Sequence, residues 1–100
     1  MKATLYTLAG KVKKKTGEVE WKRVPVDTFE GTPSEILSEM SRGAHVMDSR
    51  PKGYIAEITE GLKRLHNIDI ALPEAEDEEE YIRQWLYALQ HAGLAEIIED

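Results

Sequence analysis

The sequence predicts an α+β fold, an N-terminal antiparallel β-hairpin packed with about three helices and one or two short additional strands. Three observations lead there. Residues 2–26 are rich in Thr, Tyr, Val and Trp and flank a Thr16-Gly17 turn signal. Past residue 31 the apolar spacing changes from two to about 3.6. Two capping boxes, together with Gly43, Asn67 and Gly93, divide that region into helices. The 100 residues are 41% hydrophobic and 32% charged, a composition that predicts one globular domain over 1–100 rather than a disordered chain.

For the hairpin, "TLYTLAGKVK" and "EVEWKRVPV" are the strands. A two-residue Thr16-Gly17 loop pairs Lys15 with Glu18, Lys13 with Glu20, Val12 with Trp21 and Lys11 with Lys22. This register puts Tyr6, Leu8 and Val19 on the face of Trp21, which is expected to point into the core. Pro25 falls where its missing N–H turns away from the partner strand, so the second strand of the hairpin reads as an edge strand.

The first helix is expected over Pro33–Arg42, with Thr32 as N-cap, Pro33 in the first turn, Glu35 closing a capping box and Gly43 as the stop. Ala44–Asp48 reads as a short strand, and Arg42, Gly43, Arg50, Lys52 and Gly53 offer a small anion-binding loop or, as preferred because their spacing matches no phosphate-loop template, helix-to-helix punctuation. Tyr54, Ile55, Ile58, Leu62 and Leu65 recur at helical spacing and predict a helix over Pro51–His66, stopped by Asn67. Gly61 inside it costs about 1 kcal/mol relative to Ala and suggests either a close packing contact or a weaker helix signal. The competing topology pairs "AHVMDS" with "YIAEIT" as a second hairpin.

"NIDIALP" alternates and is expected to add a strand. Asp77 and Glu80 then form a second capping box before the stripe Tyr81, Ile82, Trp85, Leu86 and Leu89, the clearest helix of the chain. Gly93 ends it, Leu94 folds back on the last turn, and "LAEIIE" closes as a final strand.

Several function classes fall away. The chain has no cysteine, which excludes disulfides, thiolate nucleophiles and cysteine-ligated metal. No apolar run approaches the roughly 18 residues of a membrane span, and "MKATLYTLAG" is too short and polar for a secretory signal, so a cytoplasmic protein without membrane contact is expected. His45, His66 and His91 lack zinc-pair spacing, and no carboxylate pair stands out as general acid and base. His45 with Asp48 is the single arrangement with catalytic geometry to inspect, and a small enzyme ranks third among the functions. No catalytic residue, metal site or cofactor is predicted.

Charge supplies the functional candidates. Residues 1–25 carry seven Lys/Arg and two Glu, net +5, whereas residues 26–100 carry six Lys/Arg and seventeen Asp/Glu, net −11, which together give the overall −6. Glu74, Glu76, Asp77, Glu78, Glu79 and Glu80 form a dense acidic run, partly explained by the helix dipole and partly a surface for a basic protein partner. The expected role is therefore a non-catalytic protein-interaction module, an adaptor, inhibitor or regulatory subunit, acting through that run. The alternative is a nucleic-acid-binding module using the basic hairpin residues Lys11, Lys13, Lys14, Lys15, Lys22 and Arg23 with Trp21 as a stacking platform. The identity of the partner and the oligomeric state are not encoded in any of these patterns.

Overall fold

In the computed structural model, which describes residues 1–42 and 50–99, β1 (Lys2–Val12) and β2 (Val19–Glu30) form the hairpin. They are followed by α1 (Pro33–Arg42), α2 (Pro51–His66), α3 (Glu78–His91) and β3 (Ala95–Ile98). The sheet is antiparallel with order β2-β1-β3, and the class is α+β. The expected Ala44–Asp48 strand and the His45–Asp48 pair lie outside the described residues.

Local signals set the helix ends. Thr32 Oγ1 accepts from the Glu35 N–H (3.2 Å) while Glu35 Oε1 accepts from the Thr32 N–H (3.1 Å), so the two residues satisfy each other's orphan donors. Pro51 starts α2 where a missing N–H costs nothing, and Asn67 stops it in the left-handed region at φ 56°. Residues 54–59 are helical, which rules out the second hairpin. The Asp77 carboxylate accepts from the Glu80 N–H (3.0 Å), and Gly93 at φ 83° lets the Leu94 N–H return to the Leu89 carbonyl (2.8 Å).

The core lies between the helices and the proximal sheet. Trp85, Ile36, Ile55, Ile82 and Leu86 are its largest fully buried side chains, and Ala3 and Ala95 seal the sheet side. Trp85 buries its ring without orphaning its polar edge, because Nε1 donates to Thr59 Oγ1 (3.0 Å). Among the described residues no buried side-chain N or O lacks a partner.

Four expectations need correction. The hairpin loop is Lys14–Gly17, closed by the Lys13 N–H on the Glu18 carbonyl (2.8 Å) and the Gly17 N–H on the Lys13 carbonyl (2.9 Å), with Gly17 at φ 72°. The longer loop slides the register by two residues: Gly10 faces Trp21, Lys11 faces Glu20, Val12 faces Val19 and Lys22 faces Ala9. A slip of two keeps each side chain on its expected face, so Tyr6, Leu8, Val19 and Trp21 still share one. Trp21 itself is 54% exposed rather than core, for a reason of length described below. "NIDIALP" pairs with no strand. Finally, a Cβ on Gly61 would meet nothing within 4 Å, so no close contact explains that glycine.

The two strands of the hairpin are long, with 11 residues in β1 and 12 in β2, whereas β3 has 4 and pairs only with Lys2–Leu5. One further bond, from the Tyr6 N–H to the Leu94 carbonyl (2.9 Å), ends that row. Beyond it the hairpin leaves the body as an arm, and the molecule measures 50 × 27 × 23 Å.

Leu86→Ala should lower the unfolding free energy by about 2–5 kcal/mol, as expected when a fully buried leucine leaves a cavity. Gly61→Ala should raise it by about 0.5–1 kcal/mol, because the site has room for a methyl group in a helix interior. Urea denaturation followed by circular dichroism measures both.

Candidate interaction surface

The arm presents two chemically different faces. Cross-strand partners share a face, so Tyr6, Leu8, Gly10 and Val12 lie with Val19, Trp21 and Arg23, while Lys11 lies with Glu20 and Lys22. Trp21 reaches across to its partner strand: a Cβ on Gly10 would stand 3.1 Å from its Cζ3 and 3.0 Å from Val19 Cγ1. The indole thus takes space that only glycine leaves. Its other neighbour is His66 at the end of α2, edge to face at 5.1 Å between centroids.

Arg23 ties the base of the arm to the body. Its Nη1 donates to the Gly93 carbonyl (2.8 Å), and its guanidinium lies 4.4 Å from the Tyr6 ring centroid. The Tyr6 hydroxyl is pushed up by loss of solvation and by hydrogen-bonded Glu96, with Arg23 acting in the opposite direction. Arg23 is therefore partly spent on the fold. Lys11, Lys13, Lys14, Lys15 and Lys22 form no ion pair among the described residues, although Glu20 stands opposite Lys11. Around them Val12, Val19, Val24 and Val26 are all exposed.

The acidic run is divided in use. Asp77 caps α3; Glu79 accepts from the Ser34 N–H (3.3 Å) and from the Ser34 hydroxyl, fastening α3 to α1; Glu80 pairs with Arg83 (3.4 Å) and accepts from Gln84. Glu78 borders a cleft of about 480 Å³ with Arg50 and Lys52, and Lys52 sits 4.9 Å over the Tyr81 ring. Glu74, Glu76 and Glu78 remain without an ion pair among the described residues. The reach of Glu79 to Ser34 spans 45 residues and has no local signature in the sequence.

A larger cleft, about 600 Å³, opens between the start of the hairpin, the α1 N-terminus and the C-terminal strand, and its walls include Lys2, Glu30, Glu35, Arg83 and Glu99. Its charges are mutually engaged. Lys2 pairs with Glu30 at 3.6 Å, and Arg83 meets Glu99 with both Nε (2.9 Å) and Nη2 (3.2 Å), a forked contact. That hydrogen bonding holds the Glu99 carboxyl below its ordinary range, loss of solvation opposing it, and also raises Arg83. Glu35 is likewise lowered, by the Thr32 N–H it accepts. Among the described residues no group of three or more His, Asp and Glu side chains could hold a metal ion. Neither is any helix of the described residues long and apolar enough to cross a membrane.

No protein-family model, characterised sequence or solved structure matches the chain.

The Glu99–Arg83 contact carries a pH signature. Because the folded-state carboxyl binds its proton more weakly than the unfolded one, the contact's stabilisation is complete above the ordinary carboxylate range and is lost as pH falls through the lowered folded value. The melting temperature should therefore drop on acidification. Glu99→Gln should flatten the part of that drop due to the pair and leave the part due to Glu35, as a calorimetric series from neutral to acid pH would show.

Proposed function

We propose that the chain is a non-catalytic protein-interaction module, an adaptor, inhibitor or regulatory subunit, that docks through its hairpin arm. The supporting observation is the exposed Trp21, 54% open, set with Val12 and Val19 on one face of a protruding arm. Aromatic anchors of this kind dominate binding energy at protein interfaces, and exposed valines beside them add apolar area that a phosphate backbone does not use. The lysines of the opposite face and tip favour an acidic partner surface and speed its encounter. The reading retains the cytoplasmic location expected from the sequence. Its non-catalytic character is supported by the perturbed groups: Glu35 belongs to a helix cap, Arg83, Tyr87 and Glu99 to one hydrogen-bonded cluster, and Tyr6 and Tyr54 are raised chiefly by loss of solvation.

A second reading draws on Glu74, Glu76 and Glu78, which no cation of the described residues neutralises as an ion pair; there the partner is a protein with a basic surface.

The two surfaces, and nucleic acid as a third possibility, separate in one set of measurements. The chain is used as bait, each captured protein is purified, and its affinity is measured for the parent, for Trp21→Ala/Val19→Thr, for Lys11→Glu/Lys13→Glu/Lys22→Glu, and for Glu74→Gln/Glu76→Gln/Glu78→Gln. The arm reading expects the tryptophan variant to weaken binding by at least about 2 kcal/mol, the lysine reversals to slow association, and the glutamine set to bind like the parent. Loss confined to the glutamine set moves the interface to the acidic run. Binding to random DNA at physiological salt, with a salt slope that the lysine reversals flatten by about 0.9 for each lost phosphate contact, makes the arm a nucleic-acid element instead.

A further inference from the structure

The backbone of the arm carries an inference separate from its side-chain face. Along β1 the odd residues bond to β2, as the Lys13–Glu18 bond shows, and the even residues face the other way, as the Tyr6–Leu94 bond shows. Past Tyr6 no strand of the described residues lies on that second side. The N–H and C=O groups of Leu8, Gly10 and Val12 therefore form an open row in line with β3.

The other sheet edges are defended. On β2, Pro25 has no N–H, the register shift opposite Leu5/Tyr6 leaves Val26 as an extra residue, and the Thr28 N–H is taken by Asp27 Oδ1 (2.8 Å). The distal part of that strand is dense in charge, with Glu20, Lys22 and Arg23. On β3 the outward Ile97 N–H is taken by Gln90 Oε1 (2.6 Å). The open row of β1 runs through Thr7-Leu8-Ala9-Gly10, which is neutral and free of proline or bulge.

We propose that the chain forms a two-fold dimer in which β1 of one copy pairs antiparallel with β1 of a second copy about Gly10. The open residues Leu8, Gly10 and Val12 are symmetric about Gly10, so the axis there matches Gly10 with the partner's Gly10 and Leu8 with the partner's Val12, each pair exchanging N–H···O=C bonds. Ala9 then faces the partner's Lys11, and no lysine faces a lysine directly. Because Trp21 lies over Gly10, the axis brings two indole rings together above two residues that have no side chain.

Charge complementarity selects a second copy as the occupant. Antiparallel pairing lays the tip of one arm, Lys13–Lys15, toward the Tyr6–Leu94 end of the other copy, where Glu96 stands beside Tyr6 and α3 ends. Cations there meet a carboxylate and the negative end of a helix dipole. This attraction acts at the tips, since the paired β1 strands set the two net +5 segments side by side. Apart from the meeting of the two indoles the side-chain face of the arm stays open in such a dimer, and the proposed docking reading stands or falls on its own test.

Sedimentation equilibrium of the full chain should give a mass that rises with concentration toward twice 11.4 kDa. The absence of native cysteine allows a register test. Ala9→Cys and Lys11→Cys chains, mixed and oxidised, should give a disulfide-linked dimer that neither gives alone, since residues 9 and 11 of the two copies face each other as a non-hydrogen-bonded pair. Val12→Pro removes a donor of the open row without touching the ladder to β2, and should return the mass to 11.4 kDa. In the unaltered chain, the amides of Leu8, Gly10 and Val12 should exchange more slowly as concentration rises; this keeps the test valid should the proline variant fold poorly. A chain monomeric at every concentration overturns the proposal, as does a dimer that fails to cross-link 9 to 11 or that survives Val12→Pro in folded form. Protection of these three amides in a monomeric chain, gained only on adding a different protein, assigns the row to a foreign strand and likewise overturns it.

Discussion

The molecule depends on a mismatch of length between two neighbouring strands. β1 has 11 residues and β3 has 4, and the Tyr6–Leu94 hydrogen bond is the last rung they share. Up to that rung the sheet is covered by helices and sealed by Ala3 and Ala95; beyond it the same strands continue with one neighbour instead of two. An isolated two-stranded ribbon is marginal in water, so the arm requires support from elsewhere. Arg23 bonding Gly93, Trp21 against His66, and Leu8 packed on the core are the supports observed, and all of them sit on one face.

The two tryptophans show what that rung decides. Trp85 belongs to a helical stripe with Tyr81, Ile82, Leu86 and Leu89, and such a stripe can face only the sheet and the other helices, so the ring is fully buried and Thr59 satisfies its N–H. Trp21 alternates correctly with its neighbours along β2, yet alternation assigns a face and not a cover. Its partner Gly10 lies four residues past Tyr6, where β3 has stopped, and the indole fills the gap above Gly10 and meets the His66 edge at the end of α2 instead of entering the core.

What the sequence made legible follows the range of the interactions. The three helices could be placed because each end is written within a few residues: Thr32 with Glu35, Pro51, Asn67, Asp77 with Glu80, Gly93. The hairpin register was not legible, because Thr16-Gly17 suits a two-residue loop as well as it suits the end of the observed Lys14–Gly17 loop, where glycine is needed for a positive φ. Nor could the bulge at Val26 be read, since it is set by how β2 follows β1 past Pro25. The acidic run was legible as composition but not as a surface. Its division into a cap, a tie to Ser34, a pair with Arg83 and three exposed residues is a matter of tertiary neighbours.

The lysines, too, are placed by where the strands lose their neighbours. On a sheet edge, charge serves to keep other strands away, and the distal β2 with Glu20, Lys22 and Arg23 has this protection. On β1, after Lys2, charge returns only at Lys11, leaving Thr7–Gly10 neutral in the stretch where β3 has already stopped. Had repulsion been the sole purpose of the basic residues, that neutral stretch is where they would be most needed. Their concentration at the tip and on β2 instead makes the arm basic where it meets solvent and neutral where its backbone is unpaired. Attraction of a charged surface and exposure of a pairable edge are thus placed on the same arm but on separate parts of it.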